Sequence, residues 1–165
     1  ICHLGVGRTF QVVKPLGRMS VRDNVTAAAF SRVNTIREAR EVAEKTIDFC
    51  GLAPVADVLA KALPIAGRKR LEITRAMATR PDLLLLDETA AGLNPTELLE
   101  AIELIRKIRG NGTTVIIIEH IMHLIMTLSD RIHAINFGQS VAEGTPKEVA
   151  ANPQVIEAYL GKDYA

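Results

Sequence analysis

The sequence predicts an α/β fold: a parallel sheet covered by helices, with a helical block inserted before the central strand. Three observations predict it. Leu83-Leu84-Leu85-Leu86 has no polar face, follows Pro81-Asp82 and ends in Asp87-Glu88, the pattern of a short strand buried on both sides. Thr113-Thr114-Val115-Ile116-Ile117-Ile118 is a second, β-branched run that also reads as a buried strand and ends in Glu119-His120. Between the two, Asn94-Pro95-Thr96-Glu97 opens a helix. Strand, helix, strand makes the two strands parallel, joined by a right-handed crossover.

The chain has 165 residues, enough for one domain with a real core, and that core is aliphatic, with hydrophobic residues at 48% and aromatics at 4%. A net charge of +1 argues against a large nucleic-acid footprint. Two cysteines, Cys2 and Cys50, form no CxxC pattern and no disulfide framework, which fits a reducing compartment. No apolar run approaches the ~20 residues of a membrane span; Val115 to Met126 is broken by Glu119, His120 and His123. No signal peptide is evident, and the start at Ile1 reads as a cut through a longer protein.

In chain order, Gly5, Gly7, Pro15 and Gly17 give the first nineteen residues a strand-and-loop character, with Thr9-Phe10-Gln11-Val12-Val13 as the candidate strand. No GxxxxGK[ST] phosphate loop occurs anywhere in the chain. Residues 20–62 read as helices. Ser20 with Asp23 and Thr35 with Glu38 suit capping boxes, Ile36, Ala39, Ala43, Ile47 and Cys50 follow helical spacing, and Gly51 suits a helix end. Pro54 starts a short further helix. Leu63 to Gly67 leads into another, with Leu71, Ile73, Ala76 and Met77 apolar and Arg68, Lys69 and Arg70 crowding its first turn. The helix dipole opposes positive charge there. Either an anion such as phosphate sits nearby, or the long side chains reach water. After the Leu83–Leu86 strand, the helix opened by Asn94 carries Leu98, Ile102, Ile105 and Ile108 on one stripe and ends at Gly110 to Gly112. Arg131–Phe137, a turn at Gly138-Gln139 and Ser140–Ala142 read as a hairpin at a sheet edge. Thr145-Pro146-Lys147-Glu148 and Asn152-Pro153 open two short helices, the second with Val155, Ile156, Tyr159 and Leu160 apolar.

Ligands of open α/β sheets sit at the carboxyl ends of the strands. A hydrophobic strand ending in Asp-Glu suits a Walker B element, in which the Asp holds Mg²⁺ and the Glu orients the attacking water. The bland alternative is a strand followed by a polar loop. Parallel strands put both carboxyl ends on one edge, so Glu88 and His120 are expected to face the same crevice. Glu119, His120 and His123 suggest a metal site less well, because a third strong ligand is not evident.

In this order the motifs resemble the ATP-binding subunit of ABC transporters, most closely the branched-chain amino-acid uptake group. Gly7-Arg8-Thr9-Phe10-Gln11 is similar to the Q-loop. Leu63-Pro64-Ile65-Ala66-Gly67 stands where LSGGQ is expected, Leu83–Glu88 at Walker B, Ala91-Gly92-Leu93-Asn94 at the D-loop and His120 at the switch histidine. Glu143 to Pro146 and Tyr159 to Gly161 also resemble this group. The resemblance implies a P-loop NTPase-type core, truncated, because Walker A would lie upstream of Ile1. Residues 1–19 would be the Q-loop segment of the core and 20–62 the helical subdomain. Residues 63–165 would hold the signature helix, Walker B, the D-loop, the switch histidine and the C-terminal part of the core. The signature departs from the family pattern, with Pro64 for Ser and Ala66-Gly67 for Gly-Gln; Thr89 and Ile121 replace the usual Pro and Asp.

The resemblance further implies two subunits paired head to tail, each ATP contacted by Pro64, Ile65, Ala66, Gly67 and Arg68 of one signature segment and by Gly92 and Asn94 of the D-loop. Asp87, with Gln11, would hold Mg²⁺; Glu88, His120 and Gln11 would serve hydrolysis. Implied partners are membrane permease subunits, the second ATPase subunit and, indirectly, a periplasmic or extracellular substrate-binding protein. The implied location is the cytoplasmic face of a prokaryotic cell membrane, and the 165-residue chain alone is expected to be inactive. A soluble ABC-type ATPase and a non-catalytic α/β binding module are the competing readings.

Overall fold

The computed structural model describes residues 1–10 and 14–160, the last two by backbone alone. Gln11, Val12 and Val13, the side chains of Tyr159 and Leu160, and residues 161–165 lie outside the described set, and with them the catalytic and metal expectation on Gln11. Contacts divide the chain into two compact units, Ile1–Glu119 and His120–Ala165.

The first unit is built on a parallel sheet of three strands, β1 (Val6–Arg8), β2 (Leu83–Asp87) and β3 (Thr114–Ile118), with β2 in the middle. β1 lies three residues before the predicted position. Gly7 reads as a loop signal but is a strand residue paired with Leu84, in a tight spot where Pro81 Cβ would stand 3.2 Å from an added Cβ. The register pairs Gly7 with Leu84, Leu84 with Val115, and Asp87 with Ile118.

Burial alternates along β2: Leu84 and Leu86 are buried, Leu83 and Leu85 half-buried. One face of the sheet is therefore closed and the other partly open, where burial on both sides was expected. β3 departs further, with Ile116 52% and Ile118 62% exposed. The register puts both on the open face with Leu85 and Asp87, and β3 is an edge of the described sheet. A β-branched run reads alike in either setting.

The helical block has its own core. α1 (Val21–Ala29), α2 (Ile36–Phe49) and α3 (Ile65–Ala78) bury Val21, Val25, Ala43, Ile47, Leu63 and Leu71 against one another. Ser20 and Thr35 cap α1 and α2 by accepting from the Asp23 and Glu38 amides. Gly51 ends α2 at φ 72°, the left-handed conformation its position predicts. Buried Asn24 ties the incoming chain to α1: its amide oxygen accepts from Leu16 N at 2.9 Å and its amide nitrogen donates to Ser20 O at 2.8 Å. α4 (Pro95–Gly110) starts in a complete capping box between Asn94 and Glu97 and buries Ile102, Ile105 and Ile108.

The second unit holds α5 (Met122–Leu128), an antiparallel hairpin of β4 (Ile132–Asn136) and β5 (Gln139–Gly144), and the helices α6 (Pro146–Ala150) and α7 (Pro153–Leu160). The hairpin is a separate two-stranded sheet and turns at Phe137-Gly138, one residue before the predicted turn. Both turn residues have positive φ, 46° and 77°, which is what a two-residue loop between twisted strands demands. Thr145 and Glu148 complete a second capping box. No helix among the described residues is long and apolar enough to cross a membrane.

Candidate functional site

The carboxyl end of β2 is held from three directions by other elements. Thr9, fully buried just past β1, prolongs the β1–β2 ladder. Its N–H donates to Leu85 O at 2.9 Å and its Oγ1 accepts from Asp87 N at 3.2 Å. From β3, Ile118 O accepts from Glu88 N at 2.9 Å. Glu119 Oε1 accepts from Ala90 N at 2.7 Å, and its buried Oε2 has no partner among the described residues. From α3, Lys69 Nζ donates to Glu88 O at 3.0 Å.

Those bonds hold a strained backbone. Glu88 has φ 46°, in the left-handed region, which costs a residue with a Cβ about 1–2 kcal/mol. A hydrogen bond from a charged donor returns about 1.5–3 kcal/mol, so the Lys69 bond is large enough to offset the strain. Burial lowers the Lys69 ammonium from its ordinary value, while Glu119, Glu72 and Glu88 act in the opposite direction. The strain turns the chain sharply at the sheet edge, immediately after Asp87.

Asp87 has a cation beside it. Arg8 Nη2 lies 3.3 Å from Asp87 Oδ2 and its guanidinium stands 5.2 Å from the centre of the Phe10 ring. The arginine side chain is 55% exposed, so the pair is worth about 0–1 kcal/mol. Both residues line a groove of about 760 Å³, together with Lys14, Glu72 and Arg75. Glu72 is pushed above the usual carboxylate value by burial, although its Oε1 accepts from Phe10 N at 2.9 Å. Among the described residues no group of three or more His, Cys, Asp or Glu side chains could hold a metal ion. The donor set instead suits Mg²⁺ held by one carboxylate with substrate phosphates and water.

The first turn of α3 gives each of its cations a partner within the chain. Arg68 folds back onto Leu63 O at 2.8 Å and Lys61 O at 3.0 Å. Arg70 pairs with Glu100 at 2.7 Å, and Lys69 turns inward to Glu88. All three positive groups are held by oxygens of this chain. Pro64 is the N-cap, leaving the backbone N–H groups of Ile65, Ala66 and Gly67 outside the helix's own ladder.

The remaining expected residues are dispersed. Gly92 has φ 77° in the loop after β2, and Asn94 uses its side-chain oxygen to cap α4 at 3.0 Å from Glu97 N. His120 is exposed and opens the second unit, directly after Glu119. The parallel register does place the ends of β2 and β3 on one edge, as expected. Sequence reasoning gives no role to the Thr9 or Glu72 side chains, and it reads Lys69 only as a crowding cation and Glu119 only in a weak metal site. Only the buried position of a lysine in an otherwise amphipathic turn offered any signal, and it appears only once the helix is packed.

Comparison with known proteins decides the family. A family model described as "ABC transporter" matches residues 2–91, and one described as "Branched-chain amino acid ATP-binding cassette transporter" matches residues 140–165. LivG of Escherichia coli, a high-affinity branched-chain amino acid transport ATP-binding protein, is 40% identical over 98% of this chain and 70% of its own length. The chain belongs to the ABC transporter ATP-binding family. BraF of Pseudomonas aeruginosa, which carries the same description, is also 40% identical, with the same coverage. The crystallised ATP-binding cassette MJ1267 superposes with a TM-score of 0.84 at 28% identity, covering 96% of this chain and 69% of that one. ABC ATPases hydrolyse ATP, and the α/β parallel-sheet class expected from the sequence is the class of these structures.

Proposed function

We propose that this chain is part of the ATP-hydrolysing subunit of a branched-chain amino-acid importer, with its chemistry at the carboxyl end of β2. The observation that carries this reading is the Asp87-Glu88 pair at the end of a central parallel strand, its backbone held by Thr9, Ile118 and Lys69. Asp87, now beside Arg8, and Gln11 would hold Mg²⁺, which would supply charge stabilisation to the nucleotide phosphates. Glu88 polarises the attacking water, and His120 is assigned to the same reaction by its position in the motif order alone. Phosphoryl transfer asks for positioning and charge stabilisation rather than covalent chemistry, and a rigid strand end supplies positioning.

The free N–H groups at the start of α3 suit a phosphate, so Pro64 to Arg68 reach the nucleotide of a second ATPase subunit, with Gly92 and Asn94 at the same junction. Residues 1–19, 20–62 and 63–165 then act as Q-loop segment, helical subdomain and remaining core. The helical subdomain docks on membrane permease subunits at the cytoplasmic face of a prokaryotic membrane, and a substrate-binding protein delivers the amino acid from outside. The names of LivG and BraF support the substrate class.

The test is Glu88→Gln in the full-length protein. ATP binding should persist while turnover falls at least about 10²-fold, the contribution of a positioned general base. Steady-state hydrolysis near the parental rate would remove Glu88 from this role.

A further inference from the structure

We propose that Lys69 is a positioning residue through which α3 sets the backbone geometry of Glu88, and that Glu72, one helical turn on, ties the same helix to the backbone of Phe10 just past β1. The proposal rests on the role given to Glu88 above. The two side chains stand three positions apart, hence on one helix face, and each reaches a backbone atom across the sheet edge: Lys69 Nζ to Glu88 O at 3.0 Å, and Glu72 Oε1 to Phe10 N at 2.9 Å. The Lys69 contact is not a surface accident. Lys69 is buried, and its sequence neighbours Arg68 and Arg70 turn away to Leu63 and Glu100. Glu88 sits at φ 46°, a conformation that persists only when its surroundings impose it.

The same helix is rigidly part of the helical block, because Leu71 and Ala78 belong to the core formed with α1 and α2. Any displacement of that block against the sheet therefore pulls on Glu88 and on Phe10 together. One end of α3 carries the signature segment, and its inward face carries Lys69 and Glu72. A nucleotide gripped at that end by a second subunit thus reports to this chain's own hydrolytic carboxylate through one turn of helix. Coupling of this kind needs a contiguous rigid element with contacts at both ends, and α3 is one.

The experiment compares Lys69→Met, Lys69→Arg and Glu88→Gln in the full-length protein, reading kcat, KM, melting temperature and amide hydrogen exchange of the segment 86–92. Lys69→Met should lower kcat at least about tenfold, the scale of a misplaced catalytic group, with KM changed less than about threefold and exchange faster in that segment. Lys69→Arg, which keeps a cationic donor, should recover most of both. The proposal is overturned if Lys69→Met turns over within about twofold of the parent, or if Lys69→Arg fails to recover. It is equally overturned if kcat falls only in step with melting temperature, as a purely structural lysine would dictate. Full turnover by Glu88→Gln would instead remove the reading of Glu88, and this proposal with it. An inactive Glu88→Gln beside a near-normal Lys69→Met removes the proposal alone.

Discussion

Replacing Thr9 by valine isolates a single hydrogen bond under the candidate site. Valine keeps the volume of the buried side chain but removes the oxygen that accepts from Asp87 N at 3.2 Å. The longer 3.5 Å contact from Oγ1 to Leu85 O is lost too, but Leu85 O still accepts from Thr9 N. The cost is therefore dominated by the stranded Asp87 N–H, about 1–3 kcal/mol for a buried donor left without a partner. Serine makes the opposite change, keeping the oxygen and deleting one methyl, worth about 0.8 kcal/mol. Valine should thus cost more than serine, although it is the more hydrophobic residue and Thr9 is fully buried. The chain contains no tryptophan, so unfolding is followed by far-ultraviolet circular dichroism in urea, with hydrogen exchange of the β2 segment as the local measurement. Valine should lower the midpoint further than serine and speed exchange at Asp87 specifically. The reverse order, with exchange at Asp87 unchanged, would refute the claim that Thr9 holds the strand end.

Two further outcomes follow from the second unit. Phe137 is fully exposed at φ 46° in the hairpin turn, so Phe137→Asn, which adopts this conformation more readily, should stabilise the hairpin by about 1 kcal/mol; slower exchange of the β4–β5 amides checks this, and faster exchange contradicts it. Glu148 lies below its ordinary value of 4.5 because the Thr145 N–H and hydroxyl donate to its carboxylate. A depressed acid favours the folded state above its unfolded value, and that advantage disappears as pH falls through the folded value. An NMR titration should accordingly place Glu148 below 4.5, and Thr145→Ala should move it back up; a midpoint at or above the ordinary value contradicts the capping geometry.

What the sequence makes legible is local. The caps at Ser20, Thr35, Asn94 and Thr145 all form where predicted, because a cap is decided within four residues. The Leu83–Leu86 strand and its acidic end are equally plain, since so short an apolar run bounded by Pro81 and two carboxylates suits a buried strand better than a helix. Exposure is another matter. Ile116 and Ile118 look buried in the sequence and are not, because period and branching report that a residue is in a strand, never which face its neighbours cover. Gly7 reads as a chain breaker, yet it is a buried strand residue that packs closely against Pro81. The jobs of Thr9, Lys69 and Glu119 depend on partners 78, 19 and 29 positions away, and no local pattern carries them.

Asp87 and Glu88 are adjacent in sequence but are positioned by different means. Asp87 ends a regular strand, so its backbone is fixed by the ladder and by Thr9, while among the described residues its carboxylate pairs with an exposed arginine. That loose partner suits a group that must exchange one cation for another, because about 0–1 kcal/mol is all that opposes the exchange. Glu88 is bent out of the strand, and both its amide N–H and its carbonyl are tied to other elements. A group that must aim at a water molecule loses rate steeply with a misplacement of about 1 Å, so rigid backbone ties are where its precision has to come from. The contrast between a loosely paired side chain at Asp87 and a firmly anchored backbone at Glu88 is what the two proposed roles require.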